Sequence, residues 1–146
     1  MPSYETHVGG DGAVGEMART VRRAVFIDEQ GVDEADEMDE KDEVATHIVV
    51  TDDGEPVATA RFRLVEPTTV RIERVAVLEP YRGEGLGAKV MEIAESTAHK
   101  RGATSAFLHG QLRVAAFYEQ LGYETVGDQF EEAGIPHVEM VKQLDE

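Results

Sequence analysis

Val75-Ala76-Val77-Leu78-Glu79-Pro80-Tyr81-Arg82-Gly83-Glu84-Gly85-Leu86-Gly87-Ala88-Lys89-Val90 is the stretch that decides what this chain can be. It ends a run, Thr68 to Leu78, that alternates at Val70 and Ile72 and then turns wholly apolar, as a strand does where both its faces become buried. Glu79-Pro80 stops that strand. Beyond the glycines, Leu86, Val90, Ile93, Ala94 and Thr97 fall at helical spacing as far as Lys100, with Gly102 just past the end. A strand, a glycine loop and a helix in succession form a device for holding phosphate. The glycines let the backbone approach and turn its N–H groups outward, and the helix N-terminus adds the positive end of its dipole.

Working outward, Val14, Met17, Ala18, Val21 and Val25 predict an amphipathic helix from about Val14 to Ile27. Thr46 to Thr51 is β-branched and runs into Asp52-Asp53-Gly54-Glu55, a hairpin turn, with a second strand at Pro56 to Leu64. Ala103 to Leu108 is a further strand, Val114 to Leu121 a short helix closed by Gly122, Tyr123 to Val126 a strand, and His137 to Leu144 the last strand, after a loop containing Gly134-Ile135-Pro136. This is one mixed α/β domain over residues 1–146, with helices layered on a central sheet.

Composition removes several function classes. Thirty Asp and Glu against fourteen Lys and Arg give a net charge of −16, which repels nucleic acid and anionic membrane surfaces. There is no cysteine, hence no disulfide, thiolate metal site or Cys nucleophile, and no spacing among the five histidines resembles a zinc site. No stretch approaches the roughly 20 apolar residues that cross a bilayer, and the N-terminus lacks the basic start and apolar run of a secretory leader. The expectation is a cytoplasmic protein, monomer or homodimer, without a metal. Acids spread along the whole chain, with only four lysines against ten arginines, fit a high-salt cytoplasm, where screening shortens to about 3 Å at 1 M.

Three phosphorylated ligands use loops of this kind. A nucleoside triphosphate loop ends Gly-Lys-Ser/Thr, and Gly87-Ala88-Lys89-Val90 does not. A dinucleotide fold accepts Gly83-x-Gly85-x-x-Ala88, but the strand Ala103 to Leu108 lacks the acidic residue that would bind ribose, and no second βαβ unit follows. The third ligand is coenzyme A. Arg82, Gly85 and Gly87 satisfy the pattern Gln/Arg-x-x-Gly-x-Gly/Ala, and Ala115-Ala116-Phe117-Tyr118-Glu119-Gln120-Leu121-Gly122-Tyr123 resembles Ala-x-x-Phe-Tyr-Glu-x-Leu-Gly-Phe. Both motifs belong to the GNAT (Gcn5-related N-acetyltransferase) superfamily, and the chain resembles it over almost its whole length. Val25-Phe26 with Glu29-Gln30, Ala45-Thr46-His47, Ala58-Thr59-Ala60-Arg61 and Gly134-Ile135-Pro136-His137 look like its small ElaA-type members.

That resemblance implies a GNAT fold: a mixed, mostly antiparallel sheet of six to seven strands, splayed in the middle, with helices on both faces. It implies acetyl-CoA as co-substrate, with the pantetheine along Val75, Ala76 and Val77 and the pyrophosphate on N–H groups of Arg82, Gly83, Glu84, Gly85, Leu86 and Gly87. An amine then attacks the thioester, an oxyanion forms near backbone N–H groups, and the departing thiolate takes a proton from Tyr118, which matches the family's tyrosine. Glu73 stands where many relatives carry a glutamate base. Gln111 stands where the family often has an asparagine on the coenzyme. Glu29, His47 and His137 are substrate-side candidates. The rival reading is a GNAT-like domain that senses acyl-CoA or pairs with another protein without turnover.

Asp28 to Glu43 holds ten acids against Lys41 alone. In the family this region borders the acceptor cleft, so one expectation is attraction of a cationic amine; the plainer one is a solvated acidic surface. It lacks the EF-hand glycine.

Overall fold

The computed structural model describes residues 3–144; residues 1, 2, 145 and 146 of the expected domain lie outside them. In chain order the elements are β1 (Tyr4–Gly9), α1 (Ala13–Arg22) continuing into a π-helical segment (Arg23–Glu29), α2 (Glu34–Glu37), β2 (Thr46–Asp52), β3 (Glu55–Glu66), β4 (Thr69–Val77), α3 (Leu86–Lys100), β5 (Ser105–Gln111), α4 (Ala115–Gln120), β6 (Glu124–Glu132) and β7 (Ile135–Gln143). The strands form one sheet in the order β1-β2-β3-β4-β5-β7-β6. Every pairing is antiparallel except β4 with β5.

Strand alternation sorts the core. Ala60 and Phe62 on β3 and Val70 and Ile72 on β4 join Val90, Met91, Ala94 and Ala98 of α3 in the main cluster. Burying each large side chain of that set stabilises the fold by about 1.5–3 kcal/mol. The alternate positions Arg61 and Glu73 lie on the other face, under α1, where Val21, Val25 and Ala76 form a small second cluster. Two-residue turns with positive φ at both positions, Asp53-Gly54 and Ala133-Gly134, close the β2–β3 and β6–β7 hairpins.

Several elements differ from expectation: β6, expected to end at Val126, runs to Glu132, and β5, expected over Ala103 to Leu108, spans Ser105–Gln111. β1 was absent from the sequence reading because Tyr4-Glu5-Thr6-His7-Val8 is too polar to show a buried face; it is an edge strand paired only to β2. Ile135 and Pro136 belong to β7 rather than to a loop, since Ala133-Gly134 makes the whole turn. The first helix runs past Ile27 with its last turn widened, the Gln30 N–H donating to the Val25 carbonyl at 3.1 Å.

Candidate active site

β4 and β5 pair only from Thr69↔Ser105 to Arg71↔Phe107. Past that point they part, and a cleft of about 730 Å³ opens between them, walled by the widened turn after α1, β4, the glycine loop, α3, β5, α4 and the start of β7. The sheet-facing edge of β4 from Ile72 to Val77 has no strand partner on the β5 side. Val75, Ala76 and Val77 all line the cleft. A bulge shapes this edge: β3 advances two residues from Thr59 to Arg61 while β4 goes back three, from Ala76 to Glu73. Arg74 sits in the bulge at φ 57, a conformation that costs a non-glycine residue on the order of 1–3 kcal/mol. Its guanidinium donates to the Glu37 carbonyl at 3.2 Å and pairs with the Glu37 and Asp39 carboxylates at 3.1 and 3.3 Å, contacts that hold it there.

At one end of the cleft the loop Arg82 to Gly87 meets α3. Gly85, at φ 82, caps the helix without any side-chain hydrogen bond, and the first intrahelical bond is donated by the Lys89 N–H to the Gly85 carbonyl. The N–H groups of Leu86, Gly87 and Ala88 are therefore left for a ligand, at the positive end of a 15-residue helix. A side chain added at Gly83 or Gly85 would meet nothing within 4 Å, so the approach to the loop is open. These residues fit a diphosphate, and the unpaired edge of β4 fits an extended amide-bearing chain. Arg82 donates from Nε to the Val77 carbonyl at 2.9 Å and makes a two-point pair with Glu29, both contacts at 2.7 Å. Glu29 thus lies beside the phosphate loop, not on the substrate side where it was expected.

Tyr118 lines the middle of the cleft. α4 lays its ring against Gly110 of β5, where an added Cβ would come within 3.1 Å of it, and Phe117 and Tyr123 contact it edge-on. Burial pushes the phenol above its ordinary range, so it keeps its proton at neutral pH. Gln111 donates from Nε2 to the Gln30 side chain at 2.9 Å, tying β5 to the turn that follows α1, and its own carbonyl accepts from Arg113 Nε at 3.1 Å.

His137 lines the cleft as well and is buried. Its Nδ1 lies 2.7 Å from the Ile135 carbonyl, an acceptor, so Nδ1 carries the proton and Nε2 holds the free lone pair. His47 is elsewhere: it is enclosed beneath α1 on β2, its Nε2 3.1 Å from the Asp42 carbonyl, and burial lowers its pKa. The expectation that His47 faces substrate fails because β2 alternation points it into the interior. Glu73 reaches the cleft wall, but its carboxylate is gripped by Arg61 at 2.8 Å, Arg63 at 2.6 Å and Arg71 at 3.2 Å. Burial alone would raise its pKa; the guanidiniums outweigh it and hold the carboxyl below its ordinary range. A carboxylate so held is an anchor for arginines and a poor base.

The acidic stretch is partly interior. Glu37 and Asp42 are buried, Arg22 reaches both at 2.8 and 2.7 Å, and Arg61 pairs with Asp39 and Asp42 at 2.9 and 2.8 Å. Neither a solvated surface nor a lure for cations describes these three acids. Arg71, His109 and Glu132 also meet at the cleft, with no signal in the sequence to announce it, since Glu132 ends β6, a mostly polar and exposed strand.

Parting strands, an anion cradle and a buried proton-bearing phenol together define a group-transfer cleft for an extended, phosphorylated donor. The profile of the acetyltransferase (GNAT) domain matches residues 10–144. Two Bacillus subtilis relatives are the uncharacterized protein YyaT, 45% identical over 130 residues and 87% of each chain, and the uncharacterized N-acetyltransferase YjcF, 37% identical over 123 residues, covering 84% of this chain and 87% of that one. Among solved structures, Escherichia coli ElaA superposes with a TM-score of 0.82 at 28% identity, and an acyl-CoA N-acyltransferase from Pseudomonas aeruginosa with 0.80 at 26%; each covers 97% of this chain and 99% of its own. The chain belongs to the GNAT acetyltransferase family and is an N-acyltransferase. No helix among the described residues is long and apolar enough to cross a membrane.

Proposed function

We propose that the protein transfers an acetyl group from acetyl-CoA to a primary amine. The observation that carries this reading is the single cleft in which the open N-terminus of α3, the unpaired edge of β4 and Tyr118 come together. Leu86, Gly87 and Ala88 would hold the pyrophosphate through their N–H groups, and Val75 to Val77 would pair with the pantetheine amides. Bound acetyl-CoA supplies an activated thioester, and its transfer forms a C–N bond, breaks the C–S bond, and leaves one proton to take from nitrogen and one to give to sulfur.

Tyr118 gives the proton to sulfur; its raised pKa makes it a reservoir that stays filled until the thiolate develops. His137 Nε2, with its Nδ1–H held by the Ile135 carbonyl, takes the proton from nitrogen directly or through one water. That role passes to His137 because Glu73 is occupied by three arginines. We place the enzyme in a salt-rich cytoplasm, since a net charge of −16 repels a polyanionic donor unless ions screen it. Calorimetry with acetyl-CoA at rising KCl tests both points. Binding that strengthens toward molar salt is expected, with thiol release once an amine is added; NAD binding in its place would refute the reading.

A further inference from the structure

We propose that the acceptor amine also carries a carboxylate, and that Arg71, standing where β4 and β5 part, takes it. This rests on the acyltransferase reading and names the substrate class of the same cleft. The buried ion-pair cluster under α1 joins five guanidiniums (Arg22, Arg61, Arg63, Arg71 and Arg74) to four carboxylates (Glu37, Asp39, Asp42 and Glu73). Arg19 touches Asp42 at 3.4 Å but is matched by its own Asp11 at 2.8 Å. Five guanidiniums against these four carboxylates leave one positive charge whose nearest further acid is Glu132, 4.0 Å from Arg71.

The surplus surfaces at Arg71. Its Nε is buried without a hydrogen-bond acceptor among the described residues, since Glu73 at 3.2 Å lies out of line. Its Nη2 reaches only His109 Nδ1, at 3.1 Å, and Glu132 is 4.0 Å away. That Nδ1 is also 2.9 Å from the Glu132 carboxylate. One ring nitrogen cannot serve both: protonated, it donates to Glu132 and abandons Arg71; unprotonated, it accepts from Arg71 and leaves Glu132 unbonded. Glu139 lies 3.7 Å from the other ring nitrogen, so the imidazole is shared among Arg71 and two acids. Arg71 is a guanidinium at the cleft wall, packed over the Phe107 ring at 5.9 Å, and its Nη2 shares its one acceptor with Glu132. A carboxylate answers it with paired charge-assisted hydrogen bonds, which a cationic or neutral amine cannot supply.

The test uses amino acids matched with their α-carboxamides and their decarboxylated amines, assayed by thiol release from acetyl-CoA, with acetyl-CoA affinity measured separately by calorimetry. The carboxylated member of each set should be favoured by about tenfold to a hundredfold in kcat/KM, mostly through KM. Arg71→Gln should bring that preference toward unity with acetyl-CoA affinity unchanged, and Arg71→Lys should retain part of it; thermal unfolding of each variant reports whether the fold survives. Preference for the carboxamides or decarboxylated amines, loss of all members equally in a folded Arg71→Gln protein, or an acetyl-CoA-binding protein that acetylates no carboxylated amine would each overturn the proposal. Failure to bind acetyl-CoA would instead strike the transferase reading beneath it.

Discussion

The glycine-loop end of the cleft is made of backbone, and the network behind its β4 wall is made of side-chain charge. Between β4 and α3 the open groups are peptide N–H groups, presented because Gly83, Gly85 and Gly87 alternate through the loop and no side chain caps the helix. Under α1, by contrast, Arg22, Asp42, Arg61 and Glu73 come from four separate segments and are fixed by ion pairs with one another and with Glu37, Asp39, Arg63 and Arg71. A backbone device tolerates changes of neighbouring side chains but not of its own glycines. A buried charge network answers any single loss with an unpaired ion, which costs far more than the intact pair contributes.

The largest effect should come from the group in the middle of the cleft. Tyr118→Phe keeps the ring that packs on Gly110 and removes only the proton, so kcat should fall by about 10²–10⁴ while acetyl-CoA affinity stays as it was. Steady-state thiol release with parallel calorimetry measures both. A fall under about threefold would make Tyr118 a core aromatic and leave the cleft without its acid.

The charge network is broken at Asp42, which touches both Arg22 and Arg61. Asp42→Asn should cost about 3–5 kcal/mol, seen as a lower unfolding midpoint, while Asp33→Asn on the exposed part of the same stretch should stay within about 0.5 kcal/mol. Acid should do the same reversibly. Burial would raise the Asp42 pKa, but the two guanidiniums bring it down to about 2 from an ordinary 3.8. A carboxyl depressed on folding stabilises the native state above the unfolded pKa, and that contribution is lost as pH falls from about 4 to 2; it amounts to about 2 kcal/mol. Unfolding midpoints that are flat across that window would show the network to be dispensable.

The loop is broken at Gly85. A valine there must either hold φ 82, at a cost of about 1–2 kcal/mol in stability, or relax and turn the first N–H groups of α3 away from a diphosphate; acetyl-CoA affinity by calorimetry should drop about tenfold and the unfolding midpoint should fall.

That contrast also explains what could be read in the chain before its structure. The glycine-loop end was legible because a strand, a loop and a helix that act together are neighbours in sequence, and Arg82 to Gly87 states its chemistry in six residues. Tyr118 was legible because α4 carries its own motif. The charge network was not: nothing in the spacing of Arg61, Glu73 and Asp42 tells that β3, β4 and the turn before β2 meet beneath α1. Glu73 on its strand looks like a base until Arg61, Arg63 and Arg71 are seen around it, and His47 looks available until β2 is given a direction. The acids of residues 28–43 look uniform in sequence, yet Glu37 is 2% exposed and Asp42 4%.

The smallest effect concerns the one contact that joins donor loop and acidic stretch, the two-point pair of Arg82 with Glu29. Both partners are more than a third exposed, so the pair itself is worth no more than about 1 kcal/mol. It nevertheless keeps a carboxylate at the mouth of the loop, where it would repel a diphosphate. Glu29→Gln should release Arg82 and remove one negative charge from the loop mouth, strengthening acetyl-CoA binding by up to about fivefold at low salt and less at molar KCl, where screening already weakens that repulsion. Weaker binding in Glu29→Gln would mean the pair pre-positions Arg82 for the phosphates. The side chain would then belong to the cradle, and the glycine-loop end would no longer be a purely backbone device.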